Sequence, residues 1–224
     1  MRIGLLGGTF NPIHTGHLKT ASAIRSALKL DAVWFIPTGK APHKEEAHTS
    51  RADRWEMVRL ALQDHPHFKP CDVEIKRHGI SYTVDTLTLL KKRHPKNTFF
   101  FIIGTDAFFN LPQWKTPDRL LQLCHFVIVL RNGSPYSAIP DLKRLDGINR
   151  DSLAQLDRNE RKSYTFSPDD GPRLYFIRTP LYPISACEIR NRIQSGKSAK
   201  ILLPQPVLSY IMNEALYKKR EEDS

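Results

Sequence analysis

Two histidines stand three residues apart in Gly7-Gly8-Thr9-Phe10-Asn11-Pro12-Ile13-His14-Thr15-Gly16-His17-Leu18. Side chains at that spacing are neighbours on a helix, so His14 and His17 project close together from the first helical turn, beside backbone N–H groups that have no intrahelical partner. Imidazole N–H groups placed there donate to phosphate oxygens and meet the charge that grows as a phosphoryl group is attacked. Gly16 lets a ligand approach the backbone, and Gly7-Gly8 mark the hand-over from strand to helix. A single histidine at a helix start reads as a satisfied cap; the pair with its glycines reads as a phosphate-binding turn. The stretch matches neither G-x-G-x-x-G nor a P-loop, since no Lys-Ser or Lys-Thr follows a glycine at the required spacing. Two histidines could also begin a zinc site, but no third Cys, His or carboxylate stands at a recognisable distance.

A second helix start is legible near the C-terminus. Ser185-Ala186-Cys187-Glu188 is a capping box, with Ser185 as N-cap and Glu188 at N3, and Ile184 with Ile189 has the spacing of a hydrophobic staple. Capping accounts for Ser185 and leaves Arg190, one turn in, without a structural reason. Glu188 would oppose an anion at this helix end unless it points away.

The elements that must position these groups follow from hydrophobic pattern. Residues 3–6 form a short buried strand, and Leu18, Ala21, Ile24 and Leu28 give the next segment a helical face. Residues 31–37 read as a second strand opening into a Gly- and Pro-containing loop over 38–44. Ser50 caps a helix carrying Trp55, Met57, Val58 and Leu62, residues 68–75 are a strand, and 82–92 are a helix. Residues 98–103 and 125–130 are continuous apolar runs, the mark of strands buried on both faces. The segment 132–172 is rich in Asn, Gly, Ser, Pro, Asp and Arg, has a helical face only at Leu142, Leu145, Leu153 and Leu156, and reads as an insertion. Residues 174–177 resume the sheet, helices follow from Ser185 and over 206–217, and 218–224 form a charged, frayed tail. Strand and helix alternate, which specifies an α/β fold on a parallel sheet, expected as one domain over 1–217.

The 224 residues carry a formal net charge of +11. The basic residues are scattered, and the densest groups, Lys91-Lys92-Arg93 and Lys218-Lys219-Arg220, fall at helix ends, where cations complement the dipole. That distribution suits small polyanionic substrates better than a nucleic-acid face, and a non-catalytic nucleic-acid-binding protein is the rival from another class. No run of 18 apolar residues and no signal-like leader is present, so neither a membrane partner nor export is expected and the cytoplasm is the expected compartment. Cys71, Cys124 and Cys187 are far apart and odd in number, which predicts reduced thiols.

The stretch from Gly7 to Leu18 resembles the signature of the nucleotidyltransferase superfamily marked by threonine or histidine, any residue, glycine, histidine. Pro37-Thr38-Gly39-Lys40-Ala41-Pro42-His43-Lys44, Ser81-Tyr82-Thr83-Val84-Asp85-Thr86, Ile103-Gly104-Thr105-Asp106 with Leu111-Pro112-Gln113-Trp114, and Ile184-Ser185-Ala186-Cys187-Glu188-Ile189-Arg190 extend the likeness. Together they resemble the bacterial nicotinate-nucleotide adenylyltransferase family, which makes deamido-NAD from ATP and nicotinate mononucleotide. The matched segments run from residue 3 to about 211 in family order, leaving only 132–172 unmatched.

The resemblance implies a Rossmann-like parallel sheet with helices on both faces and adenylyl transfer in NAD biosynthesis. It implies that His14, His17, Lys44 and Arg190 carry catalysis. It places ATP on Gly7, Gly8, Thr9, Phe10 and Gly16, on Gly104 and Asp106, and on Ile184 and Ser185. Nicotinate mononucleotide falls to Thr38, His43, Thr83, Trp114 and Arg131. Mg²⁺ would accompany ATP with no protein metal ligand, the partners are the two small substrates, and a homo-oligomer is compatible with that set. The first motif is shared with pantetheine-phosphate adenylyltransferases and cytidylyltransferases, so transfer to nicotinamide mononucleotide or phosphopantetheine is the nearest rival. Thr83 and Trp114 are the acceptor discriminators, the indole being suited to stacking on a flat pyridine ring. Without the resemblance, Trp114 reads as an ordinary core or surface aromatic, Thr83 as a helix cap and Asp106 as another. The chain departs from the family at Asn11 for aspartate, Ala41 for proline, Asn132-Gly133 for Pro-Gly, and Ala186 and Cys187, which remove two hydroxyls from the phosphate-binding helix start.

Overall fold

A computed structural model describes residues 1–41, 49–131, 133–140, 142, 145–168 and 171–218. The apolar runs become strands β1 (Arg2–Gly8), β2 (Ala32–Pro37), β3 (Phe68–Pro70), β4 (Thr98–Gly104), β5 (His125–Val129), β6 (Ser163–Phe166) and β7 (Leu174–Ile177). They lie in one sheet in the order β3-β2-β1-β4-β5-β7-β6. Ile3 stands opposite Phe99, Phe101 opposite Phe126 and Val129 opposite Ile177 in parallel registers. Phe99 to Ile103 and Phe126 to Val129 are all buried, the burial on both faces that their unbroken apolar runs require. Chain order reverses between β3 and β4, so the carboxyl ends of β1 and β4 flank the switch point where such folds place ligands.

The helices are α1 (Thr15–Ala27), α2 (Arg51–Leu62), α3 (Thr83–Arg93), α4 (Thr105–Phe109), α5 (Pro117–Leu123), α6 (Arg150–Asp157), α7 (Ala186–Gln194) and α8 (Gln205–Asn213). None of these helices is long and apolar enough to cross a membrane. Helix α2 opens on a complete capping box between Ser50 and Asp53, as the serine predicts.

The structure departs from the sequence reading at three places and adds two short helices. The sheet is not wholly parallel, because β6 runs antiparallel to β7. This edge strand lies inside the segment read as an insertion, and its Ser-Tyr-Thr-Phe sequence, alternately exposed and half-buried, carries no apolar run to announce it. The strand expected over 68–75 stops at Pro70; proline has no N–H for the ladder, and the backbone then turns, with Lys76 N–H on Asp72 O at 2.9 Å. The last helix ends at Asn213, not 217, where Ala215 and Tyr217 adopt left-handed φ of 50° and 64°. Helices α4 and α5 have 5 and 7 residues, too short to show a periodic face in sequence.

The contacts divide the chain into two compact units. The first comprises Met1–Gly7, Ala23–Val33 and Tyr82–Leu181. In it, Leu145, Leu153 and Leu156 are buried, and Tyr136, 1 % exposed, donates its hydroxyl to Ile177 O at 2.8 Å while accepting from Leu130 N–H at 2.9 Å. The buried phenol is thereby satisfied and ties the ends of β5 and β7. The second unit comprises Gly8–Ser22, Trp34–Ser81 and the chain from Tyr182 onward. Its helices α2 and α8 are linked by Tyr210, whose hydroxyl donates to Asp53 Oδ1 at 2.8 Å.

Candidate functional site

In the second unit the turn after β1 is held by a residue in an uncommon conformation. Phe10 has φ of 48°, a left-handed value that costs an L-residue about 1–2 kcal/mol. Its ring is buried, edge-on to His17 at 5.0 Å between centroids and tilted on Phe35 at 5.9 Å. Burial of a full aromatic ring offsets that strain and sets a wall beneath His17.

Helix α1 starts just past His14. The His14 N–H donates to Nδ1 of His17 at 3.2 Å, so an imidazole does the work that a carboxylate does in a capping box. That bond requires the lone pair on Nδ1 and leaves the hydrogen of the neutral ring on Nε2. The two rings stack at 3.7 Å with planes 26° apart. His14 is 4 % exposed, and a Cβ added at Gly16 would approach its Nδ1 to 3.0 Å. The His14 ring thus lies against the space that a side chain at position 16 would take.

Arg54, buried at 3 % exposure, was missed from sequence. Its guanidinium donates to Thr9 O at 3.0 Å, Thr38 O at 2.6 Å and Gly39 O at 3.2 Å. Thr38 N–H adds a bond to Gly8 O at 2.9 Å. The turns that follow β1 and β2 are thus pinned by one charged fork. Burial first, then the charge of Arg51, push the Arg54 guanidinium below its ordinary value. Its Nε is buried with no hydrogen-bond partner among the described residues. A signal existed: Arg54 shares the apolar face of α2 with Met57, Val58 and Ala61, and a cation on a core stripe needs buried acceptors.

At α7, Ser185 Oγ accepts from Glu188 N–H at 3.0 Å, as expected of the N-cap. The other arm of the box does not form. Glu188 instead takes Arg192 at 3.0 Å one turn further on, which removes its carboxylate from opposition to an anion at the helix start. Arg190 donates Nη1 to Asn11 O at 2.8 Å, joining α7 to the β1 turn.

These parts border a cavity of about 470 Å³, a volume suited to a small ligand. Of the residues expected at the site, Thr9, Phe10, His17, Thr38 and Arg190 line it. Gly8, His14, Gly16, Ile184 and Ser185 support it from the same unit without lining it, and His43 and Lys44 lie outside the described residues. Lys40, Arg51 and Arg54 add basic groups that sequence reasoning did not select, and Thr49 and Ser50 add hydroxyls. No lining residue among those described is acidic, so the cavity offers a field for anions and no hard-cation ligand set. Among the described residues no group of three His, Cys, Asp or Glu could hold a metal. Cys71, Cys124 and Cys187 form no disulfide, and burial pushes Cys124 up to about 12, which leaves it inert as a nucleophile.

The first unit holds Gly7 and the other expected residues in two groups. At the end of β4, a Cβ on Gly104 would collide with Asp106 Oδ1 and come within 2.7 Å of Arg131, so with any larger residue there these two side chains must shift. Arg131 N–H is fixed by Thr105 Oγ1 at 3.0 Å. Gly104, not Asp106, is the N-cap of α4, and Tyr82, not Thr83, is that of α3; Asp106 and Thr83 stand within the first turns. In the second group, Lys115 donates to Asp85 Oδ2 at 3.0 Å and lies 4.7 Å from the Tyr82 ring centre. That lysine links the loop bearing Trp114 to the helix turn bearing Thr83. Trp114 is half-buried, edge-on to Phe101 at 6.5 Å.

A doubly wound sheet with a two-histidine turn and a basic cavity defines a nucleotidyltransferase, and the cytidylyltransferase-like family model matches residues 5–192. A relative from Desulfitobacterium hafniense, named as a probable nicotinate-nucleotide adenylyltransferase, is 39 % identical over 97 % of this chain and 96 % of its own. One of the same name from Geotalea daltonii is 40 % identical over 97 % of this chain and 98 % of its own. The chain belongs to the cytidylyltransferase-like family and, within it, to the nicotinate-nucleotide adenylyltransferases. Its fold is that of the Plasmodium falciparum nicotinic acid mononucleotide adenylyltransferase complexed with NaAD, at a TM-score of 0.70 and 20 % identity over 96 % of this chain and 97 % of that one.

Proposed function

We propose that the chain transfers the adenylyl group of ATP to nicotinate mononucleotide, forming deamido-NAD and releasing pyrophosphate in NAD biosynthesis. The observation that carries this reading is the cavity in which His17, Lys40, Arg51, Arg54 and Arg190 meet with no acidic lining residue among those described, beside the free N–H groups at the start of α7. The acceptor phosphate is already ionised, so its oxygen attacks the α-phosphorus of ATP in line without a strong general base, the bond to the bridging oxygen breaks, and pyrophosphate leaves. Catalysis is then positioning and charge neutralisation. His17 donates Nε2–H to phosphate oxygen, His14 fixes its ring from behind, and Arg190 neutralises charge on the leaving group. His43 and Lys44, which follow β2 in sequence, contribute as well, as does Thr38. Gly104, Asp106 and Arg131 contact nucleotide, and Thr83 with Trp114 selects the pyridine ring of the acceptor. Magnesium would come with the triphosphate as part of that substrate and would neutralise phosphate charge there; no lining residue among those described offers it a carboxylate. The cytoplasm is the compartment this chemistry fits. A panel of nicotinate mononucleotide, nicotinamide mononucleotide and phosphopantetheine, each with ATP and followed by pyrophosphate release, tests the assignment; product with another acceptor and none with the first contradicts it.

A further inference from the structure

Past the end of α8 the chain does something its sequence does not advertise. Ala215 and Tyr217 both take left-handed backbone conformations, which L-residues rarely adopt. The result brings a tyrosine onto the β1 turn: Tyr217 donates its hydroxyl to Asn11 Oδ1 at 2.6 Å, and its hydroxyl oxygen lies 3.9 Å from Met57 Sδ. Asn11 lines the cavity, and its backbone carbonyl accepts Arg190 Nη1 at 2.8 Å. One asparagine is thus held at its side chain by Tyr217 and itself holds Arg190 at its main chain. Burial pushes the Tyr217 hydroxyl up to about 12, so it remains an O–H donor throughout the neutral range.

We propose that Tyr217 is a positioning residue for the phosphate site, acting through Asn11 to fix the Arg190 guanidinium. Arg190 gives one nitrogen to Asn11 O, which aims the remainder of the planar fork, and the aim is only as firm as Asn11. This rests on the reading of the cavity as the site of the ATP phosphates. Tyr217, beyond α8, is then part of that site. A merely structural tyrosine would stabilise α8 without favouring one substrate.

The test compares wild type with Tyr217→Phe, which keeps the ring and removes the hydroxyl. ATP affinity is measured by titration calorimetry without acceptor, and KM for each substrate by pyrophosphate release. The expected result is ATP binding about 5- to 10-fold weaker, the loss of one hydrogen bond to a fixed partner, with KM for ATP rising in step and KM for nicotinate mononucleotide unchanged. In an Arg190→Ala background the same substitution should change ATP affinity less than twofold. Equal losses in both backgrounds, or wild-type affinity in Tyr217→Phe, overturn the proposal. If Tyr217→Phe lowers the cooperative unfolding temperature enough to blur the comparison, Asn11→Ala removes the acceptor instead and must give the same loss, with no further loss in the double variant; an additive double variant overturns the proposal. A wild-type enzyme that binds ATP but releases no pyrophosphate with nicotinate mononucleotide would end the acceptor assignment while the ATP comparison still decides the role of Tyr217. A wild type that does not bind ATP would end both.

Discussion

His14 and His17 stack at 3.7 Å, and the backbone N–H of the first is bonded to Nδ1 of the second at 3.2 Å. The pair is therefore asymmetric: one imidazole lines the cavity and carries its hydrogen on Nε2, and the other is buried behind it. His17→Ala should lower kcat by ~10²-fold or more if this ring meets transition-state charge. The lost cap should destabilise the fold by only about 1 kcal/mol, read from denaturant unfolding. Near-normal turnover in that variant removes the assignment.

Gly16 sets helix propensity against site geometry. Alanine in a helix is favoured over glycine by about 1 kcal/mol, so Gly16→Ala would ordinarily stabilise α1. Here the added Cβ comes within 3.0 Å of His14 Nδ1 and displaces the stacked ring. The expected outcome is no gain in unfolding free energy together with lower kcat. A stabilised, fully active Gly16→Ala would show that the stack has no part in turnover.

Arg54→Ala leaves Thr9 O, Thr38 O and Gly39 O without the fork that holds them. Stranded carbonyls and the lost packing should cost about 2–4 kcal/mol, measured by urea denaturation. Arg54→Lys should recover less than half of that, because an ammonium cannot span the same three acceptors as a planar guanidinium. Equal stability of the lysine variant and wild type would contradict the clamp.

Lys115 presents the opposite balance. Its ion pair with Asp85 has both side chains 46 % exposed, so Lys115→Ala should change stability by less than about 0.5 kcal/mol. Because the lysine links the Trp114 loop to the turn of Thr83, KM for nicotinate mononucleotide should rise several-fold while KM for ATP stays put. A parallel rise in both would place Lys115 outside acceptor recognition.

The sequence disclosed what local chemistry determines. The β1 turn, the caps at Ser50 and Ser185, and the double-sided burial of β4 and β5 were all legible because each is written within a few residues. Strand β6 was not, since an edge strand in a polar segment becomes a strand only by pairing with β7. Arg54 and Tyr217 escaped for a related reason: their partners, Thr9, Thr38 and Asn11, are remote in sequence, and no local pattern ties an arginine or a tyrosine to them. Glu188 shows the converse, a local motif half overruled when Arg192 offered its carboxylate a charged partner.

Pyrophosphate release under ATP with nicotinate mononucleotide or with nicotinamide mononucleotide identifies the acceptor. kcat/KM should be at least about tenfold higher for the nicotinate form, a discrimination worth about 1.4 kcal/mol, with that preference reduced in Trp114→Ala. Equal or greater efficiency with the amide, or no pyrophosphate from either, would contradict it.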